Sequence, residues 1–199
     1  MIAVVDYGAG NLRSVEKALQ AVGGDARLTD RPEEIRKADR VVLPGVGAFG
    51  DAAQRLRRLG LADAVLDVIR AGRPFLGICL GLQLLFERSE ESSETPGLAL
   101  LAGVVRRFPP QLKVPHLGWN AVRFLPSEPM FASIPQGSYF YFAHSFYADT
   151  PRSELVAGIT EYGVDFPSAL CWENVWAVQF HPEKSQRWGL QLLRNFLAM

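Results

Sequence analysis

The sequence is sparing in the residues that would define several protein classes. It has two cysteines in 199 residues, too few for a disulfide framework, so both are expected as free thiols in a reducing compartment. It has no net charge, with 21 basic and 21 acidic side chains, which leaves no overall field to attract nucleic acid or an anionic membrane. No apolar run is long enough to span a bilayer. The opening MIAVVDYG lacks the basic leader and cleavage region of a signal peptide, so the expected location is the cytoplasm. There is no internal repeat, no polar low-complexity tract and no linker. With 48% hydrophobic residues the chain is expected to bury one core as a single domain over residues 1–199.

Two kinds of site are excluded on spacing. YGAGN suggests a nucleotide loop, but G-x-G-x-x-G requires glycine at position 13, which is Arg13. His116, His144, Cys171 and nearby carboxylates have no metal-ligand spacing, and lone histidines in apolar strands are usually satisfied core residues, so neither metal nor cofactor is expected. The run Arg55, Arg57, Arg58 reads most simply as a solvated helix face, with a partner surface as the alternative.

What is present is alternation of strand and helix. IAVVDY is β-rich, and after GAGN the residues Leu12, Val15, Leu19 and Val22 fall at helical spacing until Gly23-Gly24. ARLT and RVVLPG predict two more strands around a helix with Pro32 in its first turn. Helices around 51–59 and 61–71, joined at Gly60, lead to the strand PFLGI and a helix over LGLQLLFER. Beyond the polar loop ERSEESSETPG the texture changes to short β runs: VVRRF, NAVRFL, SYFYFAHSFY, LVAGIT, SALCWE and VWAVQFH. Ser185 is placed to cap a final helix whose Leu190, Leu193, Phe196 and Leu197 share an apolar face. The predicted class is α/β: an open, mostly parallel central sheet with helices on both faces and antiparallel additions in the C-terminal half.

Three loops carry chemistry. Gly77-Ile78-Cys79-Leu80-Gly81 is G-x-C-x-G between strand and helix, the thiol counterpart of a nucleophile elbow. A helix N-terminus behind Cys79 would favour its thiolate. In His181-Pro182-Glu183, histidine ends a strand. Residues two apart on an extended chain project to one side, so the glutamate can fix the imidazole tautomer. Pro44-Gly45-Val46-Gly47 follows another strand and can turn an amide, with that of Leu80, into an oxyanion hole. Strand C-termini in open α/β sheets are where ligand chemistry collects.

PGVG, GICLGLQ and HPE, in this order, resemble the triad, or class I, glutamine amidotransferases. The longer forms LPGVGAFGD, LGICLGLQLLFE, VPHLGWN, YFAHS and QFHPEKS are similar to the branch of that family serving imidazole glycerol phosphate synthase, and the likeness runs from VDYGAGN to the final helix. The resemblance implies glutamine hydrolysis, with Cys79 as nucleophile, His181 as base and acid, Glu183 as its orienter and the Val46 and Leu80 amides as oxyanion hole. It further implies that Gly47, Gln83, Glu91 and the Ser145-Phe146 backbone hold glutamine. Many relatives have tyrosine where this chain has Phe146, which removes a hydroxyl contact but keeps a backbone one. The implied partner is a cyclase subunit with a (β/α)8 barrel, forming a heterodimer that receives the ammonia, with Asn11, Trp119 and Lys184 on the docking surface. Three competing readings are the glutaminase subunit of pyridoxal phosphate synthase, which is not expected to carry VPHLGWN or PGVGAFG; an α/β-hydrolase, which would place its acid between nucleophile and histidine; and a non-enzymatic interaction module.

Overall fold

A computed structural model describes residues 1–8, 10–125 and 128–199; within the GAGN loop, Ala9 lies outside the described residues. The first half runs β1 (Ile2–Val5), α1 (Leu12–Ala21), β2 (Ala26–Thr29), α2 (Pro32–Lys37), β3 (Arg40–Leu43), α3 (Phe49–Arg58), α4 (Leu61–Arg70), β4 (Phe75–Ile78) and α5 (Leu80–Gln83). The second half is β-rich: β5 (Phe86–Ser89), β6 (Leu101–Arg107), β7 (His116–Ala121), β8 (Arg123–Phe124), β9 (Tyr139–His144), β10 (Phe146–Asp149), β11 (Val156–Glu161), β12 (Asp165–Trp172) and β13 (Val175–Val178), closed by α6 (Gln186–Ala198).

The central sheet has eight strands in the order β2-β1-β3-β4-β13-β12-β11-β8. The five strands from β2 to β13 are parallel, and β12, β11 and β8 continue the sheet antiparallel. Period-two alternation divides the core. Ala3, Val5, Val41 and Leu43 face α2, α3 and α4, whereas Ile2, Val4, Val42 and Ile78 face α1 and α6. Both faces being covered explains why β1, β3, β4 and β13 read as continuous apolar runs. Two small sheets, which the strand list alone does not separate, flank the main one: β10-β6-β5 and the ribbon β7-β9. The ribbon tucks Phe140 and Phe142 into the α6-side core and leaves Leu117 64%, Trp119 46% and Tyr139 58% exposed.

Two local readings are corrected. LGLQLLFER does not form one helix. α5 stops after one turn, and Phe86–Ser89 is a strand because β6 returns to pair with it in parallel; just before it, Leu98 N–H on the Leu84 carbonyl at 2.6 Å and Leu100 N–H on that of Leu85 at 2.9 Å hold the turn. Leu84, Leu85 and Phe86 are all fully buried, a pattern that one helical stripe cannot give. Ser185 occupies the cap position of α6, but its hydroxyl does not cap. It donates to the His181 carbonyl at 2.6 Å and accepts from the Tyr141 amide at 3.0 Å.

Gly81 shows how tightly the cysteine turn is set. A Cβ there would collide with the Leu43 carbonyl oxygen of the neighbouring strand, and one at Gly77 would press on the Gly81 carbonyl. Both partners are backbone and cannot step aside. Gly81→Ala should therefore cost about 3 kcal/mol or prevent folding, well beyond the roughly 1 kcal/mol expected at Gly23, where no atom is near but φ is positive. Denaturant unfolding of the two variants checks the order.

Candidate active site

The C-terminal ends of β1, β3, β4 and β13, successive in the sheet, open on one edge. Each contributes one part of the site: Tyr7 and Asn11 after β1, the PGVG loop after β3, Cys79 after β4, and Gln179, His181 and Glu183 after β13. Cys79 has φ 53 and ψ −108, a conformation that costs a non-glycine residue about 1–3 kcal/mol. The Cys79 amide is pinned to the Val178 carbonyl at 2.7 Å, which extends the β4–β13 pairing into the turn. The helix behind it is one turn long, so the expected helix dipole is small. What faces the sulfur instead is protein: the Gln179 side-chain amide donates to Sγ at 3.7 Å, and His181 lies alongside.

His181 Nδ1 is bonded to Glu183 Oε1 at 2.9 Å, and both side chains are buried. The same oxygen accepts from Asn11 Nδ2 at 2.8 Å. Burial, the largest single influence on His181, lowers its pKa. Hydrogen bonding and charge from Cys79 and Glu183 together outweigh it, and the imidazole is raised to about 10. Its Nε2 has no partner at hydrogen-bonding geometry, although Cys79 is near enough to contribute to that rise; a long nucleophile–base contact is usual before substrate binds. The other two histidines have both ring nitrogens committed. Among the three, His181 alone keeps a nitrogen with which to move a proton.

A cavity of about 220 Å³ lies in front of Cys79 and is lined by Val46, Gly47, Leu80, Gln83, Glu91 and the 143–146 segment. The structure thus brings together every residue expected to touch glutamine. The amides of Val46, Gly47, Leu80 and Ser145 donate to no acceptor among the described residues. Glu91 Oε2 accepts from the Phe49 amide at 2.7 Å at the start of α3. The Phe146 carbonyl is already occupied, accepting from Gln83 Nε2 at 2.9 Å and His144 Nδ1 at 2.8 Å. A more open cleft of about 760 Å³ lies across the PGVG loop beside Arg55 and Arg58, and Cys79, His181 and Glu183 do not line it. Chemistry, not size, picks the smaller cavity. Among the described residues no group of three or more His, Cys, Asp or Glu is placed to hold a metal ion, and no helix is long and apolar enough to cross a membrane.

A Glutamine amidotransferase class-I family model matches residues 3–199. The chain belongs to the class I glutamine amidotransferases. Among curated relatives, it is 54% identical to the imidazole glycerol phosphate synthase subunit HisH of Nitrosococcus oceani, covering 99% of this chain and 96% of that one. It is 52% identical to the subunit of the same name from Moorella thermoacetica, covering 98% and 93%. Among solved structures, one described as a glutamine amidotransferase superposes with a TM-score of 0.78 at 21% identity, covering 100% of this chain and 98% of that one. PurLQS from Thermotoga maritima gives 0.77 at 18%, covering 99% and 97%. At those identities the structures attest the amidotransferase fold alone.

Three residues of this amidotransferase site escape sequence reading. Gln179, inside QFHPE, sits on an apolar strand end and signals nothing by type. The buried Tyr7 hydroxyl, which has no partner, packs against Gly45 of the PGVG loop, and burial followed by nearby Cys79 raises its pKa. Asn11, expected on the docking surface or as a helix cap, makes no cap hydrogen bond and donates to Glu183 instead. Asn11→Ala removes a charge-assisted bond from the carboxylate, and glutamine turnover is expected to fall about tenfold. Steady-state kinetics with an unchanged rate would show that His181 alone holds Glu183.

Trp119 is not core. It meets Tyr141 edge-on at 6.1 Å, and Lys184 Nζ lies 5.7 Å from the Tyr141 ring centre. These three form one strip beside the site, Trp119 and Lys184 exposed and Tyr141 half-buried between them. Tyr141 also bonds the triad loop directly, its carbonyl accepting from the His181 amide at 2.9 Å.

Proposed function

We propose that the protein is the glutaminase subunit of an imidazole glycerol phosphate synthase, acting in the cytoplasm as a heterodimer with a (β/α)8 cyclase subunit. The observation that carries this reading is the near-full-length identity, 52% and 54%, to subunits bearing that name. The site geometry supports the chemistry. Cys79 gives its thiol proton to His181 Nε2 and the resulting thiolate attacks the side-chain amide carbon of glutamine, while the amides of Val46 and Leu80 receive the developing oxyanion. His181 passes a proton to the departing nitrogen, leaving a γ-glutamyl thioester and free ammonia. His181 then takes a proton from water, which attacks the thioester and releases glutamate. Glu183, held by Asn11, keeps the imidazole in the tautomer whose Nε2 points to the reaction.

Substrate recognition is assigned to polar groups left over after the internal bonds are made. The Ser145 amide, the free oxygen of Glu91 and the Gln83 side-chain oxygen face the cavity, with Gly47 opposite. Ammonia in neutral water is mostly ammonium and no longer a nucleophile, which favours direct delivery to a partner. The apolar ribbon face with Trp119 and Tyr141, together with Lys184 and Asn11, is the surface assigned to that partner. Glutamine turnover measured with and without a candidate cyclase and its ribotide substrate tests the reading. Formation of imidazole glycerol phosphate from glutamine is the expected result, and glutamine hydrolysis that neither responds to the cyclase nor feeds it would overturn it.

A further inference from the structure

The buried pair His116 and His144 has no part in the mechanism above, yet all four of its nitrogens are bonded. His144 Nδ1 lies 2.8 Å from the Phe146 carbonyl, His116 Nδ1 lies 3.0 Å from His144 Nε2, and Asn120 Nδ2 lies 3.2 Å from His116 Nε2. Burial holds His116 down to about 4 and His144 down to about 3, so both rings are neutral and carry one proton each. The direction of the chain is then forced from both ends. A carbonyl only accepts, so His144 carries its proton on Nδ1; its Nε2 must accept, so His116 carries its own on Nδ1. At the far end, Asn120 also gives Nδ2 to the Glu161 carbonyl at 2.9 Å and takes the Ala121 amide on Oδ1 at 2.8 Å, which orients it as a donor. Every proton therefore points from the β7 edge toward the cavity.

Packing alone does not require this. The rings sit among Phe108, Phe142, Tyr162 and Phe166, where phenylalanine would avoid the desolvation of polar atoms. What the chain does achieve is at its end. The Phe146 carbonyl takes His144 on one lone pair and Gln83 on the other, and its peptide cannot rotate without breaking both. The second hydrogen of that Gln83 nitrogen goes to Gln179 Oε1 at 3.1 Å, and Gln179 donates on to Cys79 Sγ.

We propose that His116 and His144 are positioning residues of the glutamine site, a one-way relay of hydrogen-bond donors that locks the Ser145-Phe146 wall of the cavity and, through Gln83, the amide facing the nucleophile. The proposal rests on the glutaminase reading for its kinetic consequence but not for its proton assignment. If His116 cannot donate, His144 is left with a buried unpaired acceptor and is free to switch tautomer, which would turn a lone pair against the Phe146 oxygen and release it.

Two measurements test this. In the unmodified protein, ¹⁵N NMR of labelled histidine should show both rings protonated on Nδ1, and a proton on Nε2 of either would overturn the relay whatever any variant does. His116→Phe keeps the stacking on Phe142 at 4.8 Å and Tyr162 at 4.0 Å but removes the donor. It is expected to raise KM for glutamine about tenfold, with kcat changing less, while His116→Gln, whose amide N–H can reach the same acceptor, recovers most of the loss. An unchanged KM in folded His116→Phe, or an equal rise in both variants, would overturn the proposal. If His116→Phe does not fold, the NMR assignment decides. A protein that turns over no glutamine even with the cyclase would instead sink the proposed function and leave the tautomers to be judged on their own.

Discussion

Cys79→Ser is expected to leave a folded protein that hydrolyses glutamine about 10⁴- to 10⁶-fold more slowly, the range found when the nucleophile of a covalent triad is removed. The substitution exchanges one second-row atom for a first-row one in a side chain that is 5% exposed. The strained backbone, the Val178 bond and both flanking glycines are untouched. Thermal unfolding should move little while turnover collapses. Among the described residues no other thiol lines the cavity, and the two histidines besides His181 have both ring nitrogens committed. Activity within tenfold of the unmodified protein, in a preparation free of contaminating glutaminase, would remove Cys79 from the mechanism.

Glu183→Gln is the second large effect, a loss of about 10⁴-fold in kcat. The volume is unchanged, but the amide that replaces the carboxylate can donate to His181 Nδ1, and that bond selects the tautomer with its proton on Nε2. The imidazole then has no lone pair toward Cys79. The same substitution removes one of the two partners that raise His181 to about 10, so an NMR titration should find its pKa lower. The sign for stability follows. A histidine whose folded pKa is raised contributes stability that is complete below its ordinary 6.5 and lost as pH rises through about 10. In the variant the loss begins at lower pH. An unchanged titration would mean that Cys79 alone holds the imidazolium.

The parts legible in the sequence are those in which one side chain or one short pattern states its own role. Continuous apolar runs announced β1, β3, β4 and β13 because strands covered on both faces need no polar residue. Glycines at 77 and 81 announced the elbow because nothing larger fits against a neighbouring backbone. The acid two residues past His181 announced its orienter. What stayed hidden depends on neighbours far away in the chain. FER looked like a continuation of the helix because only the returning chain that carries β6 makes it a strand. Asn11 is 172 positions from Glu183, and no local pattern could pair them. Gln179, His116 and His144 are polar residues in apolar strands, which commonly mean a satisfied core, and only the mapped bonds show where their protons lead.

The insertion of β13 between β4 and β12 has a consequence for how the protein comes into being. Cys79 and His181, the proposed nucleophile and base, lie close because their strands are direct neighbours, a spacing of about 4.8 Å, yet His181 follows the strand that comes last in chain order among those of this sheet. Until that strand slides into the middle of the sheet, the cysteine has neither its proton acceptor nor the amide that steadies its sulfur. A growing or half-folded chain is thus expected to show only ordinary thiol reactivity, and fast reaction with thiol reagents that mimic glutamine should report completion of the sheet rather than the mere presence of the elbow.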